Sequence, residues 1–175
     1  MDVSEGFQKK IVQALEAAFQ AIGLCKLEME SNQIEEMIQS HVGDTRLDII
    51  EASMGLPDIA GEVSVEKPLP ISAKKMVMIE AIERVPNLED VYRLKRYAEI
   101  LAPDYVFLVT KERFAGQLRG FLEEHPHILQ FLIKSTTTVS GAREITVGHL
   151  DENGELAIDT EISPGDPFNP KKMWS

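Results

Sequence analysis

After Ser4, the apolar residues Phe7, Ile11, Leu15, Phe19 and Ile22 recur every three or four positions, the spacing that lines one face of an α-helix. Ser4 is suited to cap that helix and Gly23 to end it. The period then shortens. In CKLEMES, Cys25, Leu27 and Met29 alternate with Lys26, Glu28 and Glu30, which predicts a half-buried strand. A short helical turn is expected in NQIEEMIQ. TRLDIIEAS then reads as a second strand and DIAGEVSVEK as a third, parted by the Gly-Leu-Pro-Asp breaker at residues 55 to 58. Along the third, Val63 and Val65 point to a core while Glu62, Ser64 and Glu66 share the opposite surface.

Pro68 and Pro70 stop that strand, and Ser72 is placed to cap a helix, AKKMVMIEAIERV, that Pro86 terminates. A further helix starts at Asn87, carries Glu89 and Asp90 in its first turn where the macrodipole favours acids, and stops before Pro103. Its apolar seam is Val91, Leu94, Ala98 and Leu101. YVFLVT, residues 105 to 110, is apolar on both faces, as a central strand covered by helices must be. A strand, a helical crossover and a covered strand predict parallel pairing of the third and fourth strands. FAGQLRGFLEE and HILQFLIK read as helices around a break at His125-Pro126, and REITVGHLDENGELAIDTE as a hairpin turning at Asn153-Gly154. The pattern predicts one α/β domain over residues 1–162 and a proline-rich tail over 163–175.

A chain of 175 residues with 43% hydrophobic and 27% charged content can bury a sizeable core. Its 18 basic and 29 acidic residues give a net charge of −11, a field that repels phosphate polyanions. Nucleic acid is therefore disfavoured as a partner, although a bound metal would change the field locally; a protein partner or a second copy stays open. No segment approaches the ~20 apolar residues of a membrane span. The opening MDVSEGFQKK has no basic region followed by an apolar run, so a cytoplasmic location is expected. Cys25, the single cysteine, reads as a small buried hydrophobe. His125 and His127 flank a proline without a third ligand nearby, His41 and His149 stand apart, and neither Gly43 nor Gly141 belongs to a phosphate-binding loop.

The order helix, three-strand meander, helix and fourth strand, with Asp48 in RLDII and Glu62 in GEVSVEK (62 − 48 = 14 positions apart), resembles the PD-(D/E)XK nuclease superfamily over roughly residues 4 to 110. The resemblance implies a restriction-endonuclease-like αβββαβ core with a mixed sheet, followed by C-terminal helices and a β-hairpin. It implies that Asp48 and Glu62 lie side by side on neighbouring strands as oxygen ligands for Mg²⁺, which would polarise a phosphodiester and activate a water. Glu16 would stand as the acidic ligand from the first helix, with Glu66 or Lys67 in support. In RLKRY, Arg93 and Tyr97 are four apart on one helical face. They resemble the Gln-x-x-x-Tyr element of the exonuclease branch with Arg in place of Gln, and Arg93, Arg96 and Tyr97 would face the acids across a cleft and hold phosphate. The chain departs from the pattern at the family's lysine, which belongs two residues after the third-strand acid: Ser64 occupies that place, and Lys67 is out of phase with Glu62. The implied function is a Mg²⁺-dependent nucleic-acid phosphodiesterase or, the lysine being absent, a catalytically degenerate nuclease-fold protein acting as an interaction or regulatory module.

Overall fold

A computed structural model describes residues 3–65, 73–134, 139–163 and 167–168. Glu66, Lys67, Ser72 and most of the expected tail lie outside these described residues. The first helix, α1 (Glu5–Phe19), starts where its cap predicts: Ser4 Oγ accepts from the Phe7 N–H at 3.3 Å, and Phe7, Ile11, Leu15 and Phe19 form the buried side. Gly23 opens the strand β1 (Gly23–Glu28).

Two full helices follow where the pattern predicts one turn and a strand: α2 (Ser31–Val42) and α3 (Asp44–Ser53), joined at Gly43 with φ +80°. TRLDIIEAS is therefore not a strand. Its apolar triplet Leu47, Ile49 and Ile50 fits both periods; in the fold Leu47 and Ile50, three apart, are buried and Ile49 is 49% exposed, which is the helical choice. What decides it is packing: Leu47 and Ile50 join Ile34, Met37 and Ile38 of α2 to cover Ala60, on the sheet, from one side.

The strand containing GEVSV is thus the second, β2 (Ile59–Val65), and AKKMVMIEAI, predicted as a helix, is the third, β3 (Ala73–Ile82). From Met76 to Ala81 every β3 residue is at most 3% exposed. A continuous apolar run suits a strand covered on both faces as well as a buried helix, and here cover from both sides selects the strand. Next come α4 (Leu88–Leu101), β4 (Tyr105–Thr110) and α5 (Gly116–Glu124). A short 3₁₀ turn, Pro126–Leu129, leads into β5 (Gln130–Lys134), so HILQFLIK ends in a strand and not in a helix. The hairpin turning at Asn153-Gly154 joins β6 (Val139–Leu150) to β7 (Leu156–Ile158), with Gly154 at φ +85°.

The sheet has seven strands in the order β1-β2-β3-β4-β6-β5, with β7 on β6. The pairs β1/β2 and β2/β3 are antiparallel, and β3/β4 and β4/β6 are parallel. YVFLVT is therefore central, as expected, but its parallel partner is β3 and not the strand that holds Glu62. The chain does run helix, three antiparallel strands, helix, strand (α1, β1, β2, β3, α4, β4), with α2 and α3 inserted after β1. One apolar layer lies between α1 and the sheet, built on Ile11, Leu15, Val77, Ile79 and Phe107. The other, between the sheet and α2 to α5, is built on Ile38, Met78, Leu94, Leu108 and Val147. Phe168, within the segment expected to be a tail, packs on Phe19 and Phe107 at ring centroid distances of 5.1 and 5.7 Å. Among the described residues no helix is long and apolar enough to cross a membrane.

Candidate functional site

The structure does not bring the sequence-derived acids together. Asp48 lies exposed on α3, not on a strand beside Glu62. Glu62 sits on β2, where its carboxylate takes Lys74 Nζ at 2.7 Å and His41 Nε2 at 3.4 Å. Glu16 Oε1 accepts the Leu27 N–H at 3.0 Å, which ties α1 to β1 at the sheet edge, where backbone groups lack a further strand to pair with. Arg96 pairs with Glu89 at 2.6 Å on the outside of α4. Tyr97 is 1% exposed, and its hydroxyl donates into the carbonyls of Met54, Gly55 and Leu56 at 3.1, 3.1 and 3.3 Å. Arg93 does not face Glu62; it forms an ion pair with Glu80. Among the described residues no three His, Cys, Asp or Glu side chains converge as a set able to hold a metal ion.

A different pair of acids does meet. In the β2/β3 register Ile59 faces Ile79, so one step further along sets Asp58 across from Glu80, on the same side of the sheet. The Asp58 carboxylate accepts the Ala81 N–H at 2.9 Å. Glu80 alternates with Met78 and Ile82 on the face covered by α4 and is 0% exposed. Its carboxylate is met by the guanidinium of Arg93, whose side chain is 43% exposed. Burial pushes the Asp58 carboxyl above its usual range, against the Ala81 N–H and the charge of Arg93, which both pull it down.

α4 holds this arrangement from both ends. Its N-terminus carries a capping box: Asn87 Oδ1 accepts from the Asp90 N–H at 3.2 Å, and Asp90 Oδ2 from the Asn87 N–H at 2.8 Å. Asp90, 5% exposed, is also gripped by Arg84 through two bonds of 2.9 and 2.6 Å. One turn after Arg93, Tyr97 clamps the loop that leads to Pro57 and Asp58. The same helix therefore positions a cation on Glu80 and the backbone that delivers Asp58.

Asp58 and Arg93 line a cleft of about 730 Å³ at the carboxyl end of β3, together with Gln8 of α1, Glu83 and Arg84; Glu80 is buried and meets it only through Arg93. The Ser4 N–H, at 2.7 Å, holds the Glu83 carboxyl below its usual range. Sequence reasoning missed both Asp58 and Glu80. The signals were present: Pro57-Asp58 stands immediately before an alternating strand, and Glu80 is the one charge inside MVMIEAI. The assignment of that segment to a helix hid the second. No protein-family model, curated protein or solved structure matches this chain.

Proposed function

We propose that this protein is a catalytically degenerate nuclease-fold chain that works by binding, as an interaction or regulatory module, and not by phosphodiester hydrolysis. The observation that carries this is the ion pair between Arg93 and the buried Glu80. Asp58 stands immediately before the second strand and Glu80 on the third, near where the resemblance puts its two acids, and Ile82 stands two residues after Glu80, where it puts the lysine. Mg²⁺ does not fit this pair as it stands, because a guanidinium already lies on Glu80; the acids first expected as ligands are engaged elsewhere or exposed. Ile82, 5% exposed, offers no proton and no charge. Loss of one electrostatic stabiliser of a transition state costs ~10²–10³ in rate, and here the lysine's place is held by Ile82. A net charge of −11 favours a protein partner or a second copy over a nucleic-acid polyanion.

The test is incubation of the purified chain with single- and double-stranded DNA and RNA in Mg²⁺ or Mn²⁺, beside an Asp58→Asn, Glu80→Gln double variant. Equal, background-level cleavage by both proteins is expected. Robust cleavage that disappears in the double variant would restore the Mg²⁺-dependent phosphodiesterase, which the neighbouring positions of Asp58 and Glu80 favour.

A further inference from the structure

We infer that Arg93 is the resident cation of the Asp58–Glu80 pair, a tethered guanidinium that occupies the place of a metal ion and closes the site to divalent cations. The inference rests on the degenerate site proposed above and names what took over there. A buried carboxylate is costly unless a charge or hydrogen bonds compensate it. Around Glu80 the same sheet face offers Met78, Ile82 and Leu108, and α4 offers Val91 and Leu94, all apolar. With these apolar neighbours, compensation of the buried Glu80 carboxylate falls to Arg93, whose guanidinium meets it.

The neighbouring cation cannot substitute. Arg84 lines the same cleft but is held bidentately by Asp90. Arginine also suits the position better than lysine would, since a guanidinium is weakly hydrated, stays charged when partly buried and can serve two carboxylates from one planar group. Arg93 lowers the proton affinity of Asp58 as well as pairing with Glu80, so its field reaches both acids. Its helix is fixed by the capping box at one end and by Tyr97 on the Met54–Leu56 carbonyls further along. A free ion would have to displace a partner that cannot diffuse away.

Thermal unfolding and Mn²⁺ titration of wild type, Arg93→Ala and Arg93→Ala/Glu80→Gln, each in EDTA and in millimolar Mn²⁺, test this directly. Wild type should unfold at the same temperature with or without Mn²⁺. Arg93→Ala should be less stable in EDTA and recover in Mn²⁺, binding the ion at least ~10-fold more tightly than wild type because a positive charge beside it is gone. The Glu80→Gln change should abolish that recovery. If Arg93→Ala folds only when Mn²⁺ is present, the inference is upheld. It is overturned if Arg93→Ala gains no stability from Mn²⁺, if it stays unfolded in Mn²⁺ while the double variant folds, or if wild type itself binds Mn²⁺ in a way that Glu80→Gln removes. A Mn²⁺-indifferent Arg93→Ala would overturn the inference and leave the absence of cleavage standing, whereas Mn²⁺-dependent cleavage by wild type that Glu80→Gln removes would overturn both.

Discussion

Asp58 and Glu80 are acids on one face of the sheet, yet their surroundings solve the problem of charge differently. Glu80 is fully buried and matched by Arg93, while Asp58 keeps a single N–H and a proton affinity raised by burial. A carboxyl whose folded-state pKa is raised binds protons more readily in the folded chain than in the unfolded one, so stability falls as pH climbs from the ordinary Asp value of 3.8 through the raised value. Ionised Asp58 is therefore a burden at neutral pH and none in acid. Asp58→Asn should be more stable than wild type at pH 7, and the gap should close as pH drops below 3.8; urea unfolding at both pH values checks it, and a pH-independent gap would contradict the assignment. The same physics sets Cys25 aside as a nucleophile, since burial pushes its thiol up to about 12.

Among the elements, α4 carries the most responsibility for the cleft. Its seam of Val91, Leu94, Ala98 and Leu101 seats it on the sheet, which leaves Arg93 to reach Glu80 and Tyr97 to reach the loop before Asp58. The start of α4 depends on Asn87, whose side chain takes an N–H that the first turn cannot satisfy internally. Asn87→Ala should lower stability by about 1 kcal/mol. This would appear as a lower urea midpoint with an unchanged slope; a change in slope would mean that the cap governs more of the fold than one helix end. β2 makes a different local demand. At Gly61 a Cβ would stand 2.8 Å from Leu27 Cα of β1, so the polar face that ends in Glu62 and Ser64 can pair with its neighbour only because this residue has no side chain.

For the molecule as a whole, the sheet divides the core into a layer under α1 and a thicker one under α2 to α5. β3 and β4 lie in both layers and have strand neighbours on either side, whereas β1 and β5 close the sheet at its two ends. Native-state hydrogen exchange should follow that order, with β3 and β4 amides exchanging only through global unfolding and those of β1 and β5 through smaller openings. Exchange from β1 as slow as from β4 would show that α1, through Glu16 and the Leu27 N–H, makes the edge part of the central unit. The cleft sits at the carboxyl end of β3, between Gln8 of α1 and Arg93 of α4, so Glu80 is held by a strand expected to exchange among the slowest.

Local pattern alone was enough for α1, α4 and β4. The two helices each have one dominant period and a cap three residues from the N–H it serves, and β4 is a six-residue apolar run, too short for a helix, set off after Pro103, so the information lies within a few residues of where it acts. The turn at Asn153-Gly154 was legible for the same reason, because its glycine adopts a positive φ. LDII and MVMIEAI were not legible, since their apolar residues satisfy a helix and a strand equally well and only the surfaces that arrive from elsewhere choose. That choice also moved the site. Had AKKMVMIEAIERV been helical, Glu80 and Arg84 would have been four apart on one face; as a strand, β3 buries Glu80 and turns it to Arg93, thirteen residues on (93 − 80 = 13). The alternation that drew attention to Glu62 was real, but its partners are Lys74 and His41. Which acid meets which cation is a matter of register and of which helix lies above the sheet, and those are fixed only when the layers pack.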